Sequence, residues 1–120
     1  MINDSYITIQ TEKGSINISE DVISAVVSAA LKEVDGAAGL AHAYGAELAE
    51  MLGRKSLSKG VKVQFVDNSV IVDIVILVRF GCNIASVAQK VQEVASSSLE
   101  AMTGQSSVIN VHVAGVSMEK

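Results

Sequence analysis

The chain contains no proline and no tryptophan. Without proline, neither an X-Pro turn nor a proline helix stop is available. Aromatic residues are confined to Tyr6, Tyr44, Phe65 and Phe80, so the core must be packed from Val, Ile, Leu and Ala. The single cysteine, Cys82, excludes an internal disulfide and fits a reducing cytosol. Two histidines, His42 and His112, with no C-x-x-C or H-x-x-x-H spacing, give no expectation of a zinc site. Basic residues are in deficit: 9 Lys+Arg against 13 Asp+Glu leave a net charge of −4. That balance argues against a broad electrostatic footprint for nucleic acid. No apolar run approaches the roughly 20 residues that a helix needs to cross a bilayer. The start, "MINDSYITIQ", lacks a basic segment followed by an apolar one, so no secretory leader is expected.

What is present is aliphatic. Apolar residues make up 49% of the 120 positions, enough for one domain with a real core. Ile16 and Ile18 alternate with Ser15 and Asn17, predicting a strand, and Tyr6 to Gln10 suggests another before a turn at Glu12-Lys13-Gly14. Ser19 reads as a helix N-cap, with Glu20 and Asp21 complementing the dipole in the first turn. Val22, Ile23, Val26, Val27, Ala30, Leu31 and Val34 then recur at helical spacing, and Gly36 is the natural C-cap. Residues 37–60 show the least periodicity, with a short helix expected over Ala46 to Leu52 and an exposed basic loop at "GRKSLSKG". A hairpin follows, its strands "GVKVQFV" and "SVIVDIVILVRF" turning at Asp67-Asn68. Asn83 caps a second helix with Ile84, Val87, Ala88, Val91, Val94, Ala95 and Met102 inward, and Gly104 closes it. "SVINVHVAGV" is the last strand. The order β-α-β-β-α-β, with an optional N-terminal strand, predicts an α+β two-layer sandwich. Its helices would lie on one face of a small mixed or antiparallel sheet, and a ferredoxin-like strand order is one option.

The apolar run at 69–80 contains one carboxylate, Asp73. With the turn at 67–68, Phe65 faces Val70, Val63 faces Val72 and Val61 faces Ile74, forming a face for the helices to cover. On the other face Gln64 meets Ile71 and Lys62 meets Asp73. Asp73 is thereby expected to pair across the strands with Lys62. Ile71, Val75 and Leu77 share that outer face and need cover, from the chain's own 37–60 or N-terminal region or from a partner. His112 alternates outward beside Asn110 in the last strand, which makes Ile71, Asp73, Val75, Leu77, Asn110 and His112 the candidate interface.

Catalytic patterns are weak. No serine lies in G-x-S-x-G, and no Ser-His-Asp set assembles. Cys82 without a recognisable base reads as a buried small residue. "GRKS" lacks the glycine and residue order of a phosphate loop. "GAAG" at 36–39 has the spacing of a KH-type GXXG loop, although helix capping explains Gly36. The electropositive group Arg54, Lys55, Lys59 and Lys62 reads chiefly as a solvated loop, with an anionic surface or acidic partner as the other option. A small nucleic-acid-binding module using "GAAG" and the basic loop is the alternative function.

Three long stretches together carry a resemblance: "GSINISEDVISAVVSAALKEVDGAAGL", "GRKSLSKGVKVQFVDNSVIVDIVILVRFGCNIASVAQKVQEV" and "MTGQSSVINVHVAGV". They resemble the alkaline shock protein, or Gls-type, envelope stress response family of Gram-positive bacteria. Matching positions include Lys59-Gly60-Val61, Val72-Asp73, Gly81, Asn83-Ile84, Met102-Thr103-Gly104, Asn110-Val111 and Gly115-Val116. The chain departs at Ala85, where relatives often carry proline, and at Cys82, where an aliphatic residue is usual. The resemblance implies a cytoplasmic, non-enzymatic protein of envelope homeostasis without a cofactor, held near the membrane through an anchored partner. The resulting expectation is a scaffold that self-associates or binds such a partner.

Overall fold

The computed structural model describes residues 6–40, 60–66 and 69–118. Its elements are β1 (Tyr6–Thr11), β2 (Gly14–Ser19), α1 (Glu20–Leu31), β3 (Ala37–Leu40), β4 (Val61–Val66), β5 (Ser69–Arg79), α2 (Ile84–Thr103) and β6 (Ser106–Ser117). The architecture is α+β, as expected, with two sheets rather than one. β1 and β2 form their own antiparallel hairpin, in which Ile7 pairs with Ile18 and Ile9 with Ile16. Ile7 enters the core while Ile16 remains half exposed, so only the base of the hairpin is anchored. Because neither strand joins the larger sheet among the described residues, the ferredoxin-like order is not formed there.

β5 organises that larger sheet. On one side β6 runs parallel to it along the whole strand, from Ser69↔Ser106 to Arg79↔Ser117. The other side is shared end to end: β4 pairs with Ser69 to Ile74, and β3 pairs with Ile76 to Val78. Between them the Val75 amide donates to the Gly60 carbonyl at 2.9 Å, and beyond them the Arg79 amide donates to the Gly36 carbonyl at 2.8 Å. Both edges of β5 are therefore satisfied, which makes it the central strand. A parallel neighbour requires a long crossover, and α2 supplies it. The β4–β5 register has Val66 opposite Ser69, as a turn at 67–68 demands, although those two residues lie outside the described ones.

The core face of β5 is Val70, Val72, Ile74, Ile76 and Val78, all fully buried. α1 lies over β4 and α2 over β6, and Ile23, Val27, Val91 and Leu99 fill the layer between helices and sheet. Asn83 caps α2 by accepting from the Ser86 amide at 2.9 Å, and Gly104 ends it in the left-handed conformation. α1 begins after Ser19, as predicted, but that side chain makes no capping hydrogen bond.

Several expectations need correction. α1 ends at Leu31, and tightened turns then carry Val34 into the core, so Gly36 is not its cap. Gly36 instead makes the turn into β3. Its φ is +92°, and a Cβ there would lie 2.8 Å from the Val87 side chain. "GAAG" is thus a turn residue followed by a strand, not a loop free to clamp a nucleic-acid backbone. β3 gives no sequence signal because Ala37-Ala38-Gly39 has neither alternation nor β-branching. Val22, Ile84 and Met102 are exposed at the margins of their helices rather than inward. Cys82 is exposed as well, in the turn ahead of α2. The expected helix over 46–52 lies outside the described residues, as do Arg54, Lys55 and Lys59 of the basic loop.

Candidate sheet-face site

The strand parity that buries Val72 and Ile74 turns Ile71, Asp73, Val75 and Leu77 to the opposite face. The parallel register sets Val108 beside Ile71, Asn110 beside Asp73 and His112 beside Val75. Asn110 donates from Nδ2 to Asp73 Oδ1 at 3.0 Å, and His112 Nε2 stands 3.9 Å from the same oxygen. The candidate polar residues of the last two strands are thereby gathered at one place. Asp73 is more sheltered than its histidine neighbour, with 19% of its side chain exposed against 34% for His112.

Lys62 does lie opposite Asp73, as the turn position predicts. The expected ion pair is nevertheless not among the contacts of the described residues, where the carboxylate accepts from Asn110 and has His112 standing nearby. The reason is topological. A parallel β6 places a short amide beside the carboxylate, and a flexible lysine stem gains little by competing for a partly exposed partner. Predicting this requires β6 to be placed next to β5, which residue spacing alone does not supply.

Val75 is the second correction on this face. It is fully buried, so it is not available as an exposed contact. It stands apart from the main core cluster, flanked by Gly60 on one side and His112 on the other. Ile71 and Leu77 are partly exposed. Val108, which residue pattern alone does not single out as an interface residue, is half exposed and extends the apolar strip. Its position at the same parity as Asn110 and His112 is the available signal.

A groove of about 860 Å³ opens elsewhere, between α1 and β3. Ser24, Ser28, Lys32, Asp35 and Arg79 line its polar part, which carries charges of both signs together with serine hydroxyls. Among the described residues no group of three His, Cys, Asp or Glu side chains is placed to hold a metal ion. The Asp73–Asn110–His112 group can orient a polar partner, with one carboxylate oxygen already accepting from the Asn110 amide. No described helix is long and apolar enough to cross a membrane.

The fold and this face define a small α+β domain with helices covering one side of a mixed sheet. The same fold occurs in the copper form of the MamM CTD, with a TM-score of 0.51 at 12% identity, covering 83% of this chain and 89% of that one. A triple variant of the MamM CTD gives 0.50 at 14% identity, covering 80% and 94%. The chain belongs to the alkaline shock protein family, which has a cell envelope-related function, with residues 8–118 matched. It is 34% identical to the uncharacterized Bacillus subtilis protein YqhY over 110 residues, 91% of this chain and 82% of that protein. It is 30% identical to the uncharacterized Streptococcus pyogenes protein Spy1614 over 113 residues, 92% and 93% of the two.

Proposed function

We propose that this chain is a non-enzymatic interaction protein of the cell envelope, acting from the cytoplasm. In this reading it reaches the membrane by binding a membrane-anchored partner, with or without self-association. The observation that carries the reading is the outer face of the sheet. Ile71, Leu77 and Val108 leave an apolar strip on rigid strands around the hydrogen-bonded Asp73–Asn110 pair. An apolar patch left exposed on a folded surface, with a hydrogen-bonded polar group fixed beside it, marks a recognition surface. Family membership supplies the envelope setting.

The test compares the wild-type chain with an Ile71→Asp/Leu77→Asp variant. Each is captured from gently solubilised membranes, the bound protein is identified by mass spectrometry, and the complex is sized by light scattering. The wild type is expected to retain a membrane-anchored protein that the variant releases, with unchanged far-UV circular dichroism. A wild-type chain that remains a lone monomer with no membrane-linked partner overturns the reading.

A further inference from the structure

The larger sheet has two unlike edges. One is made of short strands, β3 with 4 residues and β4 with 6, and β4 carries Lys62. Short strands and lysine are the usual protections against unwanted pairing. The other edge is β6, which has 12 residues, no proline and no Lys, Arg, Asp or Glu. Among the described residues it pairs only with β5. Its open side is not bare. Gln92 of α2 donates from Nε2 to the Ile109 carbonyl at 3.0 Å, standing where an incoming backbone amide would donate. A strand residue sends its N–H and C=O to the same edge, and the edges alternate. Ser107, Val111 and Val113 share the parity of Ile109 and therefore turn their backbone groups to this side.

A groove of about 450 Å³ runs here between β6 and α2, lined by Gln92, Glu93, Ser96, Ser107, Val108 and Ile109. Its helix wall is acidic. Glu93 lines it directly, and Glu100 is tied to it through Ser96, which donates to Glu100 and accepts from Ser107. We infer that this groove takes an extended peptide segment as an added strand on β6, alternating Lys or Arg with apolar residues. Side chains on the helix side meet Glu93 and Glu100, and those on the opposite side cover the half-exposed Val108. Charge decides the occupant. A second copy paired edge to edge would bring α2 beside its symmetry mate and set Glu93 and Glu100 against their own kind, whereas a basic strand neutralises them. The inference rests on the reading of the chain as an interaction protein and names the chemistry of one partner segment.

The test uses the full chain and a fluorescent peptide of alternating lysine and valine, read by anisotropy, with an alternating glutamate and valine peptide beside it. The basic peptide is expected to bind and to slow amide exchange at Val111 and Val113. The Glu93→Lys/Glu100→Lys variant, altered only at exposed positions, is expected to weaken binding about tenfold or more. Val111→Pro removes one outward donor and is expected to weaken it too, its fold checked by circular dichroism. Equal binding of the two peptides, or exchange at β6 unchanged by the basic one, overturns the inference. So does protection of the β6 amides by dimerisation without peptide, since a second copy then holds the edge. If the peptide fails while the Ile71→Asp/Leu77→Asp variant still releases a membrane protein, this inference falls and the interaction reading stands. Peptide binding at β6 combined with unaltered capture by that variant has the opposite result: the groove stands and the outer-face surface falls.

Discussion

The two faces of β5 both carry branched aliphatic residues and live under different rules. On the core face Val70, Val72, Ile74, Ile76 and Val78 are fully buried without exception. On the other face Ser69, Ile71, Asp73, Leu77 and Arg79 range from partly exposed to exposed, and Val75 alone is sealed. The first face is fixed by two helices that must hide their apolar stripes, so any polar intrusion would be costly. Among the described residues no helix lies over the second face, and it admits a carboxylate because a neighbouring strand supplies an amide donor beside it. Aliphatic composition alone therefore does not reveal which side of a strand is core. The burial of the facing elements does.

The comparison is sharpest where the largest loss is expected. Ile74→Ala removes a fully buried side chain between the helices and the sheet, and is expected to cost about 2–5 kcal/mol in urea unfolding. A loss under about 1 kcal/mol would mean that this layer collapses around the gap. Val75→Ala, one residue along and on the other face, is expected to cost less, about 1–3 kcal/mol. Its side chain is equally buried but lies outside the cooperative core cluster. Equal costs at the two positions would erase the distinction between the faces.

Much of this architecture is legible because local signals agree. The β4–β5 pairing follows from one turn, and its register matches residue for residue from Val61↔Ile74 to Val66↔Ser69. The second helix is bracketed by Asn83, whose side chain caps its start, and Gly104, whose left-handed backbone ends it. Elements decided by distant partners are not legible. β3 forms because β5 offers an unpaired stretch beyond β4, a vacancy that nothing in Ala37-Ala38-Gly39 announces. Residue alternation puts Asp73 on the correct face and gives it the wrong neighbour, since its actual partner lies 37 residues away in sequence. Parity likewise assigns Val75 to the outer face, but parity fixes direction and says nothing about shelter.

The smallest effect separates the two accounts of Asp73. If the carboxylate is held by β6, Asn110→Ala and Asp73→Ala should be coupled in a double-mutant cycle by about 0.5–1 kcal/mol. That is a low value for a hydrogen bond with a charged acceptor, because water reaches the pair. Lys62→Ala should change stability by less than about 0.5 kcal/mol and show no coupling to Asp73. The reverse outcome, with Lys62 coupled and Asn110 silent, would restore the cross-strand ion pair and free the amide of Asn110 to face a partner. The cycle thus reads more than one contact. A carboxylate fastened to β6 ties the outer face to the strand that carries the open edge, so a peptide added at that edge would be felt at Asp73. A carboxylate fastened to Lys62 would leave the two surfaces independent.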